Sequence, residues 1–371
     1  MSMEDLANQT QWILWASFGL SLLFGAIAQR THFCTMGAIS DVVNMGDWTR
    51  VRQWTVVVAV SMTGFALLSL TGQIDPGKSL YSTQRLLWLS ALVGGFLFGL
   101  GMVLASGCGN KTLIRMGTGN LKSWVVFVFM GVAAFATLKG ITAVWRNQFL
   151  DSVFVDMPSG VHLGALVSAW ADMPLANAWP ISGFAVACCL LLWALWRRDF
   201  WQSDNLWAGL GLGLVVTAML WVSGHLGFIA EHPETLESVY LTTNSGRMEA
   251  MSFVAPMAYT LDWLMFFSDK SKVLSFGIVS AVGVVIGSAV SSLVTGSFRW
   301  EGFGQIADLS HHLIGAVLMG VGGVTAMGCT IGQGVSGLSV LSLNALLAVM
   351  GIILGALAGF RYQTWTLEKS L

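Results

Sequence analysis

Residues 94–120 read GGFLFGLGMVLASGCGNKTLIRMGTGN, an apolar run that stops at Gly107-Cys108, turns polar and glycine-rich, and yields to a second apolar run from Ser123. The design returns at residues 315–337, GAVLMGVGGVTAMGCTIGQGVSG. With a shift of 221 residues, Gly94, Leu97, Gly99, Gly101, Val103, Ala105, Gly107 and Cys108 fall on Gly315, Leu318, Gly320, Gly322, Val324, Ala326, Gly328 and Cys329, 8 identities in 15 positions. Apolar composition alone does not set cysteine on cysteine and glycine on glycine. The chain therefore carries an internal duplication, marked by two cysteine-bearing breaks.

The 371 residues are 55% hydrophobic and only 10% charged, with a mean hydropathy of +0.72. A soluble domain carries about 25% charge, so composition alone specifies a membrane protein. The 17 Trp and 21 Phe suit interfacial belts and lipid-facing surfaces, and the 43 Gly suit close helix packing and broken helices. A net charge of −1 creates no field that would recruit nucleic acid. Residues 1–11 are acidic rather than basic and no small-residue cleavage site follows, so no cleaved signal peptide is expected. The 5 cysteines are an odd set without CxxC or a His/Cys cluster, which points to neither zinc nor a disulfide framework. No HExxH, Walker loop, nucleophile elbow or haem-ligand pair is present. Neither an enzyme activity nor a cofactor is expected.

A spanning helix needs ~20 mostly apolar residues. Nine segments qualify: 12–28, 54–70, 86–105, 124–141, 180–196, 206–222, 273–294, 309–327 and 341–360. Four apolar segments are too short or too broken to cross, 31–44, 108–119, 246–267 and 329–341, and read as half-helices or re-entrant turns. The expected fold is an all-α polytopic membrane protein with about nine transmembrane helices plus half-helices. It forms a single transporter domain over 1–371. A repeat unit at 12–141 and a linking helix at 180–196 precede a second unit at 206–360. Each unit crosses four times and the linker once, so the second unit enters inverted, the plan of many transporters whose site lies where half-helices meet. With the N-terminus outside, inner segments hold 11 Lys and Arg, among them Arg30, Arg50, Arg52, Lys111, Arg115, Lys122, Arg197, Arg198 and Arg299, against 7 outside. Glu231, Glu234 and Glu237 then face outward and the C-terminus is cytoplasmic. Small-xxx-small spacings such as Gly95/Gly99, Gly283/Gly287 and Gly351/Gly355/Gly359 allow close helix approach but say nothing of cargo.

Cys108 and Cys329 open the two re-entrant segments, and Cys34, in Gln29-Arg30-Thr31-His32-Phe33-Cys34, opens a half-helix. A helix start offers unpaired N–H groups and a positive dipole end, which favour an anion. A thiol there is a soft, weak donor, suited to an oxyanion with a terminal sulfur. The plainer reading is that each cysteine is a small buried hydrophobe, and for Cys188-Cys189, in the middle of the linking span, that reading stands. Arg30, Lys111 and Arg115 beside the breaks either draw an anion or express the cytoplasmic positive bias. Asn110, Thr112, Thr330 and Gln333 either replace an oxyanion's water or cap the re-entrant backbone. His32 reads as interfacial, and His311-His312 near Asp308 as a water boundary rather than a metal site.

Three motifs, QRTHFCTMGAISDV, GLGMVLASGCGNKTLIRMGTGNLKSW and GAVLMGVGGVTAMGCTIGQG, resemble the YeeE/YedE family of bacterial inner-membrane proteins, thiosulfate transporters of the TsuA type. The likeness extends over the chain, including the span GIVSAVGVVIGSAVSS. It implies an hourglass-shaped inverted repeat of nine spans. It also implies uptake of thiosulfate passed along by S–H hydrogen bonds from pore cysteines, here Cys34, Cys108 and Cys329. A small cytoplasmic sulfur carrier of the TusA-like type is implied as partner. The family often has Gly-Gly-Cys before each break, where this chain has Ser106-Gly107-Cys108 and Met327-Gly328-Cys329, and Lys111 stands where a small residue is usual. Sulfite or selenite as cargo, or thiol-redox chemistry at the three cysteines, are the readings to be separated from thiosulfate transport.

Overall fold

The computed structural model describes residues 3–233, 236–304 and 306–370. Glu234, named above among the outward acids, lies outside them, as does the side chain of Arg198. In chain order, α1 (Met3–Arg30), the half-helix α2 (Thr35–Met45), α3 (Thr49–Leu70), α4 (Trp88–Leu104), the half-helix α5 (Gly109–Gly117) and α6 (Leu121–Lys139) form the first half. A connection with the short helices α7 (Ile141–Trp145) and α8 (Leu163–Ala171) leads to α9 (Leu175–Leu195). The second half opens with α10 (Ser203–Leu206) and α11 (Leu212–Trp221), joined by π-helical turns into one span, Ser203–Leu226. It continues through the half-helix α12 (Val254–Met265), α13 (Phe276–Val294), α14 (Ile306–Thr325) and α15 (Leu343–Ser370).

Among the described residues, eight segments are long and apolar enough to cross a membrane, and α14, 20 residues long, takes the ninth position expected from the sequence. β-structure among the described residues amounts to two pairs of two-residue strands, β1 (Arg85–Leu86) with β2 (Val155–Asp156) and β3 (Phe228–Ile229) with β4 (Val239–Tyr240), and three isolated bridges. An all-α polytopic fold is what the apolar runs specified. Boundaries differ where local chemistry is stronger than hydropathy. The linking helix begins at Leu175 rather than at Pro180: the Pro174 carbonyl accepts the first helical bond, from the Ala178 amide (3.0 Å), and Pro180 lies inside the helix. Within 246–267 only Val254–Met265 is helical. Residues 332–337 form a π-helical turn rather than a regular half-helix.

Packing at the centre follows the duplication. A Cβ placed on Gly94 would come 2.5 Å from the Ala326 nitrogen and 2.8 Å from the Gly322 oxygen; one on Gly101 would come 2.6 Å from the Gly315 oxygen. The 221-residue shift carries Gly94 to Gly315 and Gly101 to Gly322, so it exchanges these two contacts. As 94 rises to 101 the partner falls from 322 to 315, and α4 and α14 therefore run antiparallel with their backbones nearly touching. The re-entrant returns are pinned in a matching way. Leu121 donates to the Glu301 oxygen (2.8 Å), and Leu163 donates to the Leu341 oxygen (3.0 Å).

Candidate functional site

The same local device precedes all three cysteines. His32, Ser106 and Met327 sit in the left-handed region, with φ of 52°, 55° and 58°. Each is two residues before a cysteine. The residue between them closes the preceding helix: Phe33 donates to the Ala28 oxygen (3.1 Å), Gly107 to the Met102 oxygen (2.8 Å) and Gly328 to the Gly323 oxygen (2.8 Å). These are six-to-one Schellman closures. The cysteine then opens the next helical turn, its carbonyl accepting from the residue four ahead: Ala38 to Cys34 (3.0 Å), Thr112 to Cys108 (2.9 Å) and Gln333 to Cys329 (2.8 Å). Two side chains cap the carbonyls left open at the breaks. Arg115 Nη1 donates to the Ser106 oxygen (2.8 Å) and Gln333 Nε2 to the Ala326 oxygen (2.6 Å).

The three sulfurs are buried. Cys34 Sγ accepts from the Gly37 amide and Cys329 Sγ from the Gly332 amide, both at 3.4 Å. Each S–H is left to donate elsewhere. Cys108 makes no such cap bond, so the first-turn amides of α5 have no side-chain acceptor. Cys108 is the common neighbour, within electrostatic reach of both Cys34 and Cys329. Ser252 Oγ lies 4.0 Å from Cys329 Sγ.

Cavities open on both flanks of this cluster. One, of about 370 Å³, is lined by Arg146, Asp151, Glu249, Ser252, Met327 and Gly328 among others, and its lining includes Phe276 at the start of α13. A wider one of about 830 Å³ shares Leu80, Leu87, Ser245 and Met327 with it and adds Arg85, His162 and Arg247. The other flank, about 240 Å³, is lined by Gln29, His32, Lys111, Arg115, Asn120, Arg299 and Glu301. Its Ser297 and Arg299 follow the end of α13. A helix of 19 residues is about 28 Å long, so the Glu249 cavity and the Lys111 cavity open at opposite ends of the bundle. Gly328 lines the first next to Cys329; His32 and Lys111 line the second beside Cys34 and Cys108.

The remaining candidates divide. Lys111 lies in the cavity wall and forms no ion pair among the described residues, whereas Arg50 is paired with Asp41 (3.3 Å) and Lys122 with Asp308 (2.5 Å). Asn110 Oδ1, Thr330 Oγ1 and Gln333 Oε1 are buried acceptors without a hydrogen-bond partner, which is costly unless something supplies one. Thr112 is spent on its own helix, donating to the Cys108 oxygen (3.1 Å). Arg30 is exposed at the end of α1 and contributes nothing to either cavity's lining. His32 is exposed just past the end of α1, where it lines the Lys111 cavity. Cys188 and Cys189 are exposed on the outside of the bundle. His312 Nδ1 lies 3.0 Å from Asp308. His162, stacked on Trp179 at 3.7 Å, is held neutral by burial, its pKa pushed down to about 4, so it adds no charge to the wide cavity. Ser252, Phe253, Arg299 and Glu301 were not legible as site residues. They stand outside the duplicated motif, and only folding brings them beside it.

A family model described as sulphur transport matches residues 30–358. The chain is 28% identical over 351 residues to the thiosulfate transporter TsuA of Spirochaeta thermophila, covering 92% of this chain and 97% of that protein. It is 26% identical over 343 residues to the thiosulfate transporter TsuA of Escherichia coli, covering 90% of each. A probable transporter, YedE of Salmonella typhimurium, matches at 26% over 200 residues, 51% of this chain and 43% of that protein. The matched region contains all three cysteine-headed breaks, and the chain belongs to the sulphur-transport family, YeeE/YedE.

Proposed function

We propose that this protein carries thiosulfate into the bacterial cytoplasm across the inner membrane, with Cys329, Cys108 and Cys34 handing the dianion along by S–H hydrogen bonds. The observation that carries the reading is the series itself: three thiols at three helix starts, between cavities at opposite ends of the bundle. The likeness to two proteins named thiosulfate transporters supports the cargo. In this reading the N-terminus and the Glu249 cavity are periplasmic, the C-terminus and the Lys111 cavity are cytoplasmic, and 12–141 and 206–360 are inverted halves of one domain.

The chemistry suits flux. A dianion must shed water to enter, and neutral donors replace part of that hydration without a fixed charge pair that would hold it too long. The first-turn amides of α5 and the Lys111 ammonium give the ion a graded set of donors. No covalent step is required, so the protein acts as a carrier path rather than an enzyme. A TusA-like sulfur carrier on the cytoplasmic side would remove the delivered anion.

Purified protein in liposomes is expected to take up labelled thiosulfate, and Cys108→Ala or Cys329→Ala to abolish uptake while each variant still inserts and purifies intact. Unlabelled thiosulfate should compete better than sulfite or selenite. Wild-type uptake in both cysteine variants would overturn the relay. A stable disulfide or persulfide formed during turnover would favour thiol-redox chemistry instead.

A further inference from the structure

Among the described residues, four short helical segments begin inside the bundle, and three of them begin with cysteine. The fourth, α12, begins with Phe253, whose carbonyl accepts from the Met257 amide at 3.1 Å, in the manner of the three cysteines. Phe253 also stands between two of the sulfurs. Ser252, the residue before it, holds its Oγ 4.0 Å from Cys329 Sγ. A Cβ on Gly109, the residue after Cys108, would come 3.8 Å from Phe253 Cβ. The ring is fully buried and leans on Phe24 of α1, with centroids 6.0 Å apart.

Phe253 stands behind the wall of the Glu249 cavity, whose lining takes in residues 249–252 before it and Ala255, Pro256 and Tyr259 after it. Met251 and Ser252 line the cavity, as does Gly328 on the facing break; Phe253 and Cys329 do not. The main chain here is pinned on both sides of Phe253, by Ser336 Oγ donating to the Met251 oxygen (2.8 Å) and by the Met257 amide donating to the Phe253 oxygen (3.1 Å). Freedom therefore rests in the ring. An apolar group at a constriction excludes hydrated ions by dewetting, which is a recognised way to gate a path.

We infer that Phe253 is an apolar gate between the Glu249 cavity and Cys108, opened by rotation of its ring. It blocks water and unselected anions until an ion already bound at Cys329 displaces the ring. This rests on the reading of the three thiols as one path. A cysteine at this place would have continued the donor series; the phenyl ring interrupts it and separates capture from passage.

The test is the rate at which Cys108 reacts with a membrane-impermeant anionic methanethiosulfonate. It uses full-length protein in which Cys34, Cys188, Cys189 and Cys329 are serine. Right-side-out and inverted vesicles are compared, with modification read by mass spectrometry. Phe253→Ala is expected to raise the rate about tenfold or more from the Glu249-cavity side only, with chloride leak rising in parallel. Phe253→Leu, which keeps most of the apolar volume, is expected to give a smaller rise, and Phe253→Trp none. Unchanged labelling in Phe253→Ala, or in Phe253→Leu should the alanine variant fail to fold, would overturn the gate. Absence of thiosulfate uptake by the wild type would instead sink the transport reading and leave the labelling difference standing.

Discussion

Lys111 is the residue whose charge has no answering group among the described residues, although it lines a cavity and sits one turn from Cys108. Its neighbour Arg115 is occupied with the Ser106 carbonyl, so the two cations flagged together in the sequence have different work. A charge-assisted hydrogen bond is worth about 1.5–3 kcal/mol, roughly tenfold to more than a hundredfold in affinity. Lys111→Met is therefore expected to raise the KM for thiosulfate at least about tenfold, and Lys111→Arg to recover part of it. Preference for dianions over monoanions should weaken in the methionine variant. An unchanged KM in uptake assays would assign Lys111 to the positive-inside bias. The cysteines were legible because duplication repeats them in register. The left-handed turns at His32, Ser106 and Met327 were not, because none is glycine, the residue that ordinarily signals that conformation. Phe253 was illegible for a related reason: the repeat conserves its place at a helix start but not its chemistry.

At the scale of elements, the spans could be read directly from hydropathy, since a bilayer-crossing helix has to satisfy its own backbone and face lipid. The half-helices were harder, because their bounds depend on closures of the chain rather than on apolarity. What holds the elements together is backbone proximity between α4 and α14, and between α4 and α15, where a Cβ on Gly95 would collide with the Ala348 carbonyl. In a membrane, packing of this kind replaces the hydrophobic drive available in water. Gly94→Ala would set its methyl 2.5 Å from the Ala326 nitrogen, and Gly322→Ala would set its own 2.5 Å from the Phe98 nitrogen. Backbone cannot rotate aside as a side chain can, so each is expected to cost at least about 1–3 kcal/mol, the usual range for overpacking. Gly19→Ala meets nothing within 4 Å and is the control. The measurement is the thermal midpoint of the detergent-solubilised protein. The two central variants should fall by similar amounts, since Gly94 and Gly322 face each other across α4 and α14 and a Cβ on either comes within 2.8 Å of the other's carbonyl oxygen. A drop in one alone would mean that the interlock is not symmetric in energy.

At the scale of the whole molecule, the proposed direction of transport depends on which cavity faces the cytoplasm, and charge and architecture argue the same way. The connections on the Lys111 side are short: residues 46–48 and 118–120 are turns, and 295–305 carries Arg299 and Glu301. Those on the Glu249 side are long and built, with both strand pairs and α8. Short basic connections stay with the cytoplasmic face, whereas long structured ones are translocated with little regard to charge. In protein whose five native cysteines are replaced by serine, a single cysteine at Asp172→Cys, just past α8, should react with impermeant maleimide in intact cells. One at Thr364→Cys, near the end of α15, should react only after the membrane is permeabilised. Both positions are exposed, so accessibility reports sidedness rather than burial. The opposite pattern would invert the molecule, make the Lys111 cavity the point of entry, and turn Phe253 from a barrier after capture into a barrier before release.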